Sequence, residues 1–484
     1  MVRILNFRTI LKIISRNLFI IGFALLLCIP VGIHYQERIM HFIISSSIAL
    51  FTGLLFSIIS GGKDFRELKL SRKDAFFTVT ITWLLISLVG CLPYVLSGAI
   101  PSFINALFES VSGFTTTGSS ILTDIEALPM SILFWRSLTH WVGGIGIIVL
   151  VIIIIPKLHI AGYHLFTLES SFQEKIAPRV RTIGKRLLLI YLFLTVSEVA
   201  LLMAGRMNLF ESVCHAFGTV ATGGFSPKNS SIADYSGYIQ YVIMIFMILG
   251  GTNFVIHYYV LKREFRKLKG NEELRFYLNT VLFIGIIITL TLIFKMNKPV
   301  EEAFREGFFQ VVSVLTCTGY TTADYLEWPV YAWIIIFLAM FLGGSTGSTA
   351  GGIKMARHLV VFKNIKLIFR KILSPHAVIP VRLNKKTIDD KLNSQILSFI
   401  SIYLLVYIAG SLLMVSTGLD IKTAGGSVAT CMAGIGPGIG SVGPAGNFAH
   451  LPAAGKIILS LLMLLGRLEI YPIFILFTRG FWRL

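Results

Sequence analysis

Charged residues are scarce in this sequence. Asp, Glu, Lys and Arg make up 14% of its 484 residues, where an ordinary soluble domain carries about 25%. A chain so poor in charge and 55% hydrophobic has too little polar surface to face water all round, which excludes an ordinary soluble domain. Acids are scarcer still, 24 against 43 Lys and Arg. Cysteines number five, Cys28, Cys91, Cys214, Cys317 and Cys431, all in or beside apolar segments and never as Cys-x-x-Cys. Neither a disulfide framework nor a zinc site is indicated. Before Cys28, Leu27 stands where a lipoprotein signal wants a small residue, so the first apolar segment reads as an uncleaved anchor. The ten histidines are scattered, and His140 and His257, inside apolar spans, read as packed and hydrogen-bonded rather than metal-ligating.

What is abundant is apolar sequence in runs long enough to cross about 30 Å of hydrocarbon, which implies a helical, multi-pass membrane protein. The net charge of +19 is spread in alternate loops: Arg3 to Arg16, Lys63 to Lys73, Lys157 to Arg186, Lys262 to Arg275, Lys354 to Lys391, then Arg479 and Arg483. By the positive-inside rule both termini are cytoplasmic. The charge records topology and not a nucleic-acid partner. Anionic lipid or a docked cytosolic protein accounts equally well for the two long basic loops, Leu158 to Lys185 and Lys354 to Lys391.

The loops between, poor in basic residues, hold a motif that occurs four times: Thr115-Thr116-Thr117-Gly118, Val220-Ala221-Thr222-Gly223, Thr316-Cys317-Thr318-Gly319 and Ala433-Gly434-Ile435-Gly436. The copies recur about every 100 residues, and Leu-Phe-Glu-Ser-Val precedes the first two alike, at Leu107 to Val111 and Leu209 to Val213. This is an internal repeat. Four copies around an axis bring four loops together, and glycine permits backbone angles that aim carbonyl oxygens at one line. Such a ring can replace the water around a cation.

The chain is expected to be an all-α polytopic membrane protein of ten transmembrane helices. Residues 1–70 form an N-terminal two-helix hairpin, and 71–160, 161–265, 266–370 and 371–484 form four helix, pore-loop, helix units. The half-length helices are expected at Ser102 to Phe114, Leu209 to Val220, Val300 to Leu315 and Ile421 to Met432. Too short to cross, they must be protein-buried or line water, and their C-terminal dipole ends favour a cation. Asp124, Glu126, Asp234, Asp324 and Glu327 follow the loops and could gather cations at the mouth.

Two further elements bear on permeation. Arg467 lies about fifteen residues into the last span, roughly 22 Å from its outer end, where a charge costs about 2.5 kcal/mol or more and faces water or a partner. It is expected to project into the pore below the loops as a barrier to cations; the alternative is a structural anchor that snorkels or pairs with Glu469. The run Gly343-Gly344-Ser345-Thr346-Gly347-Ser348-Thr349-Ala350-Gly351-Gly352 interrupts an apolar span. Each glycine costs a helix about 1 kcal/mol, so an irregular gating loop is expected there, tied by Lys354 and Arg357 to the cytoplasmic side.

These stretches resemble the Trk/Ktr/HKT superfamily of potassium transporters. The resemblance covers nearly the whole chain and rests on Ser112 to Gly118, His140 to Gly146, Ala221 to Gly224, Gly343 to Lys354 and Gly466-Arg467. The leading hairpin is similar to the Trk-type (TrkH-like) pore subunit of bacteria rather than the shorter Ktr type. The resemblance implies potassium uptake through a selective pore, K+ bound at Thr116 to Gly118, Ala221 to Gly223, Cys317 to Gly319 and Gly434 to Gly436, and no further cofactor. It also implies a homodimer with one pore per chain in the bacterial inner membrane, controlled by a cytosolic TrkA-like nucleotide-binding ring. In the family a glycine in each loop goes with potassium selectivity, and Gly434 stands where the fourth loop often has Asn.

Three enzyme-like patterns lack their context. Gly343-x-Ser345-x-Gly347 matches a nucleophile elbow but interrupts a helix, Gly438 to Gly443 resembles a dinucleotide fingerprint with no strand before it, and Gly347 to Lys354 nearly spells a phosphate loop. A serine hydrolase at Ser345 is thereby a remote alternative, and a non-transporting scaffold for the cytosolic ring another. A proton- or sodium-coupled potassium symporter is the nearer one, with Glu198 as its intramembrane acid.

Overall fold

The computed structural model describes residues 5–61, 71–149, 176–374, 376–377 and 379–482. The basic stretches expected at Lys63 to Lys73 and Lys157 to Arg186 lie largely outside the described residues, as does the end of the unit expected at 71–160.

The chain is mostly helical and built for lipid. Six described helices are long and apolar enough to cross a membrane: Phe7–His34, Met40–Ile59, Lys73–Leu96, Gly184–Ala204, Glu272–Met296 and Asp390–Ser416. Large apolar side chains such as Phe51, Phe283 and Leu405 lie exposed on them, as a hydrocarbon-facing surface requires. The first two pair through small residues, with Gly22 against Leu50 and Ser15 donating to the Gly53 carbonyl at 2.6 Å. Close approach of this kind holds membrane helices together where lipid is as apolar as leucine.

Two apolar spans are broken. Gly237–Gly250 and Phe254–Leu261 meet at 102°, and Ala453–Arg467 and Tyr471–Phe477 at 111°, so that six to eight candidate spans by length and composition are found among the described residues. The first bend follows Gly250-Gly251, and Asn253 caps the new helix by accepting from Val255 N. At the second, Glu469 and Ile470 take positive φ values of 60° and 61°, which no helix continues through. A third interruption is the glycine-rich run itself, between Val330–Ala339 and Met355–Leu373. One departure from an all-helical chain is a small antiparallel hairpin, Arg382–Leu383 with Lys386–Thr387, turned by Asn384 and Lys385 at φ 50° and 65°. Both central residues at positive φ match a two-residue hairpin turn.

Four short helices sit inside this shell: Phe103–Phe114, Leu209–Val220, Val300–Leu315 and Ile421–Ala433. Each begins at a turn residue, with Asn208 and Asp420 accepting from the backbone three residues on and Pro299 preceding the third. Each is buried over its C-terminal half and ends at one of the glycine loops.

Candidate functional site

The four short helices end in the same way. After their last turns, the amides of Thr117, Gly223, Thr318 and Ile435 donate to the carbonyls of Ser112, Gly218, Ser313 and Thr430, five residues back, at 2.7–3.1 Å. The residue before each donor takes positive φ: Thr116 53°, Thr222 54°, Cys317 55° and Gly434 70°. The residue after it does so again: Gly118 81°, Gly224 79°, Gly319 88° and Gly436 104°. A β-branched threonine at positive φ is costly, of order 1–3 kcal/mol, and persists only where its surroundings enforce it. In the first and third loops, Thr115 and Thr316 reach back to Val111 O and Val312 O and meet Thr117 and Thr318 hydroxyl to hydroxyl at 2.7 and 2.8 Å.

This geometry corrects the register of the second loop. The stretch equivalent to Thr116–Gly118 is Thr222–Gly224, one residue beyond Ala221–Gly223. The tandem Gly223-Gly224 concealed the shift, because either glycine fits the pattern, and only φ separates them. Gly223 is a glycine for another reason: a Cβ there would lie 2.5 Å from the His140 ring.

The four loops close on one another in chain order. A Cβ added at Gly118 would lie 2.2 Å from Gly223 O, at Gly224 1.9 Å from Thr318 O, at Gly319 1.6 Å from Ile435 O, and at Gly436 3.1 Å from Thr117 O. The oxygens belong to the four amide donors, each pressed against a neighbouring loop's positive-φ glycine. A closed cycle of four such contacts requires the loops to surround one axis, with the negative ends of the four short helices directed toward it.

Buried polar residues brace this ring, and the sequence reading passed over them. Arg136 and Glu109, both almost fully buried, pair at 2.7 Å. Glu109 also accepts from Ser120 Oγ and Ile121 N, while Arg136 donates to Ser226 O and lies 3.6 Å over the Phe225 ring. The signal was available, since both charges lie within apolar stretches. His140 Nδ1 bonds Gly113 O at 2.7 Å, His257 Nε2 bonds Leu249 O at 2.9 Å, and Tyr320 donates to His215 O at 3.0 Å. At the mouth, Lys228 holds Glu126 at 3.3 Å and Glu211 at 3.6 Å. Asp124 accepts from Asn229 Nδ2, which holds its carboxyl below the usual range, and Asp324 caps the turn Tyr325–Glu327. Asp124, Glu126 and Asp324 are therefore partly neutralised or spent on local structure, while Asp234 and Glu327 are exposed.

The glycine-rich run lies against the inner end of the ring. Thr349 donates to Val220 O and Gly250 O at 3.0 and 3.1 Å, and a Cβ on Gly351 would lie 2.0 Å from Ala433 O. The run thus abuts the carbonyl ends of the second and fourth short helices. Ser345 N donates to Gly251 O, the carbonyl freed by the 102° bend, and Phe254 N to Gly347 O. Glu273, buried at the start of its helix, accepts from Thr346 N at 2.7 Å and Ala356 N at 3.0 Å through one oxygen, and so holds both ends of the loop. The adjacent Glu272 binds Lys363 and the turn residue Asn384.

Arg467 sits at the last position of its helix, 8% exposed, and donates to Thr349 O at 2.7 Å. Its Nε and Nη2 have no partner among the described residues. The pair with Glu469 is not formed: Glu469 binds Arg357 at 2.7 Å, and Arg357 lies 3.8 Å over the Phe399 ring. Lys354 donates to Ala350 O. Arg357, 1% exposed, is a buried clamp on Glu469, whose side chain is 22% exposed.

Comparison with known proteins agrees with this architecture. A profile of the family described as cation transport protein, TrkH, matches residues 45–482. Trk system potassium uptake protein TrkH of Salmonella typhimurium is 35% identical over 86% of this chain and 87% of its own length. The Halomonas elongata protein of the same name is 32% identical over 99% and 100%. The crystal structure of the potassium transporter TrkH from Vibrio parahaemolyticus superposes with a TM-score of 0.90 at 30% identity, covering 99% of this chain and 100% of that one. Its relatives are transporters and not enzymes, which removes the hydrolase reading of Ser345, and the chain belongs to the TrkH family of cation transport proteins.

Proposed function

We propose that the chain takes up potassium through a selective pore whose filter is the ring formed by Thr116–Gly118, Thr222–Gly224, Cys317–Gly319 and Gly434–Gly436. The closed cycle of four loop-to-loop contacts carries this reading. It supports a narrow lining of peptide oxygens, rigid because at three of the four contacts no side chain fits between the loops, in which K+ exchanges water for carbonyls. K+ is the substrate and no resident cofactor is needed. Helix dipoles add a negative potential at the ring, and no bond to the ion is made or broken.

Below the ring, the loop Gly343–Gly352 is the gate and Arg467 the electrostatic barrier. Arg467 Nη1 on Thr349 O joins the two, so one movement of the loop shifts both obstacle and charge. Four units, at 71–160, 161–265, 266–370 and 371–484, follow the hairpin at 1–70, giving ten crossings once the two bent pairs, Met130–Val149 and the span interrupted between Val330–Ala339 and Met355–Leu373 are added to the six long helices. Both termini face the cytoplasm of a bacterial inner membrane, in keeping with the basic loops. A homodimer and a TrkA-like ring docked on the cytosolic face complete the assembly.

The test is flux of K+ against Na+ in liposomes holding the purified protein. A K+ preference supports the reading, and equal rates for the two ions sink it. A symporter is the second reading, favoured by Glu198, which is fully buried with neither carboxylate oxygen bonded among the described residues. Proton-coupled uptake that Glu198→Gln abolishes would establish it.

A further inference from the structure

We propose that a basic cavity beside the helix Met355–Leu373 binds the headgroup phosphate of an anionic phospholipid. The proposal rests on the topology above, which puts this end of the helix at the cytoplasmic leaflet. The cavity holds about 490 Å³ and is lined by Lys363, Lys366, Arg370, Arg382, Pro380 and Val381. Lys363, Lys366 and Arg370 are three and four residues apart, so they form one stripe of the helix. Only Lys363 has an acidic partner, Glu272; no carboxylate pairs with Lys366, Arg370 or Arg382 among the described residues.

The rest of the helix narrows the choice of ligand. One face is buried, with Ala356 and Val360 packed on Val381, Leu383 and Ile396. About 100° round from the basic stripe, Phe362, Ile365, Phe369 and Ile372 are 57%, 46%, 65% and 67% exposed. Unpaired cations beside an exposed apolar stripe match an anionic head with hydrocarbon attached. A phosphate between Lys366, Arg370 and Arg382 accepts charge-assisted hydrogen bonds, and its acyl chains cover Phe362 and Phe369. Inorganic phosphate leaves the apolar stripe bare.

This site is one helix away from the gate. The helix starts where Met355 N donates to Gly344 O and Ala356 N to Glu273, and Lys363 binds Glu272, the neighbour of Glu273. A bound lipid steadies the helix against the hairpin and, through it, the exit of the gate loop.

The experiment is native mass spectrometry of the full-length protein in detergent, titrated with dioleoylphosphatidylglycerol or dioleoylphosphatidylcholine. The wild type retains phosphatidylglycerol about tenfold better, Lys366→Ala/Arg370→Ala/Arg382→Ala loses the preference, and Lys366→Arg/Arg370→Lys keeps it. Millimolar inorganic phosphate leaves the lipid in place. Equal retention of the two lipids, an unchanged preference in the triple alanine variant, or displacement by phosphate overturns the proposal. So does disulfide capture of Phe369→Cys between two copies with phosphatidylglycerol excluded, since a second copy then covers the stripe. Binding is read without flux, so failure here leaves the pore reading standing, and a failed pore reading leaves this one testable.

Discussion

The ring and the loop beneath it are built on opposite principles. Four segments of different sequence supply the ring, and its order comes from exclusion, since at three of four contacts a single Cβ would come within 2.2 Å of a peptide oxygen. One segment supplies the loop, and its order comes from bonds to unlike neighbours: Glu273, Gly251 O, Val220 O and Arg467. Packed backbone has no second arrangement nearby, whereas hydrogen bonds to several partners can be exchanged for others at small net cost. A ring held by exclusion and a loop held by exchangeable bonds are what the proposed filter and gate each require.

The largest effect is expected from breaking the ring where it is tightest. Gly319→Ser places a Cβ 1.6 Å from Ile435 O at a φ of 88°. K+ flux should fall about a hundredfold, as two or three kcal/mol of backbone strain enters the narrowest passage, and the K+ to Na+ ratio should collapse. Liposome flux with both ions checks it, and retained flux with retained selectivity would remove the tight ring from the mechanism.

Arg467→Ala acts on the junction between the two regions. It removes both a buried charge and the bond to Thr349 O. A unit charge a few ångströms from a permeating ion opposes it by about 4 kcal/mol at an effective dielectric of 20, partly screened by water. K+ conductance should rise about tenfold, while Arg467→Lys restores most of the block. Unchanged currents in the alanine variant would dismiss the barrier.

Within the loop, Glu273→Ala leaves two buried amides, Thr346 N and Ala356 N, without their acceptor, at about 1–3 kcal/mol each. Part of that cost recurs in the open state, so the closed loop loses about 1 kcal/mol, and resting flux should rise roughly fivefold. Glu273→Gln keeps the acceptor oxygen and should change flux about twofold or less. Equal effects of the two substitutions would show that the charge, and not the tether, matters.

Much of this was legible in the sequence because it is local. Glycine density located the loop at Gly343–Gly352, and the repeated loops placed the four short helices to within a residue, Ala433 rather than Met432 ending the last. What the sequence withheld depends on distant partners. Arg357 and Glu469 are 112 residues apart and Arg136 and Glu109 are 27 apart, too far for any helical spacing to suggest them. Gly250-Gly251 gave no sign of a 102° bend, since paired glycines also occur where helices pack closely. The two-residue strands at Arg382–Leu383 and Lys386–Thr387 are below the length at which alternation can be read.

The smallest effect is expected at the one place where the ring itself is loose. Gly434 occupies the position held by Thr116, Thr222 and Cys317, at φ 70°, and a Cβ there meets nothing closer than 3.9 Å. Asparagine tolerates the left-handed region better than other side chains because its amide bonds locally. Gly434→Asn should therefore fold normally and leave the K+ to Na+ ratio within about twofold, the strain of about 1 kcal/mol being offset by a stiffer unfolded chain. Gly436→Ala, with 3.1 Å to Thr117 O, should fall between this variant and Gly319→Ser. A Gly434→Asn protein that lost selectivity as fully as Gly319→Ser would mean that crowding does not grade the four loops. Rigidity would then belong to the ring as a whole and not to its tight contacts.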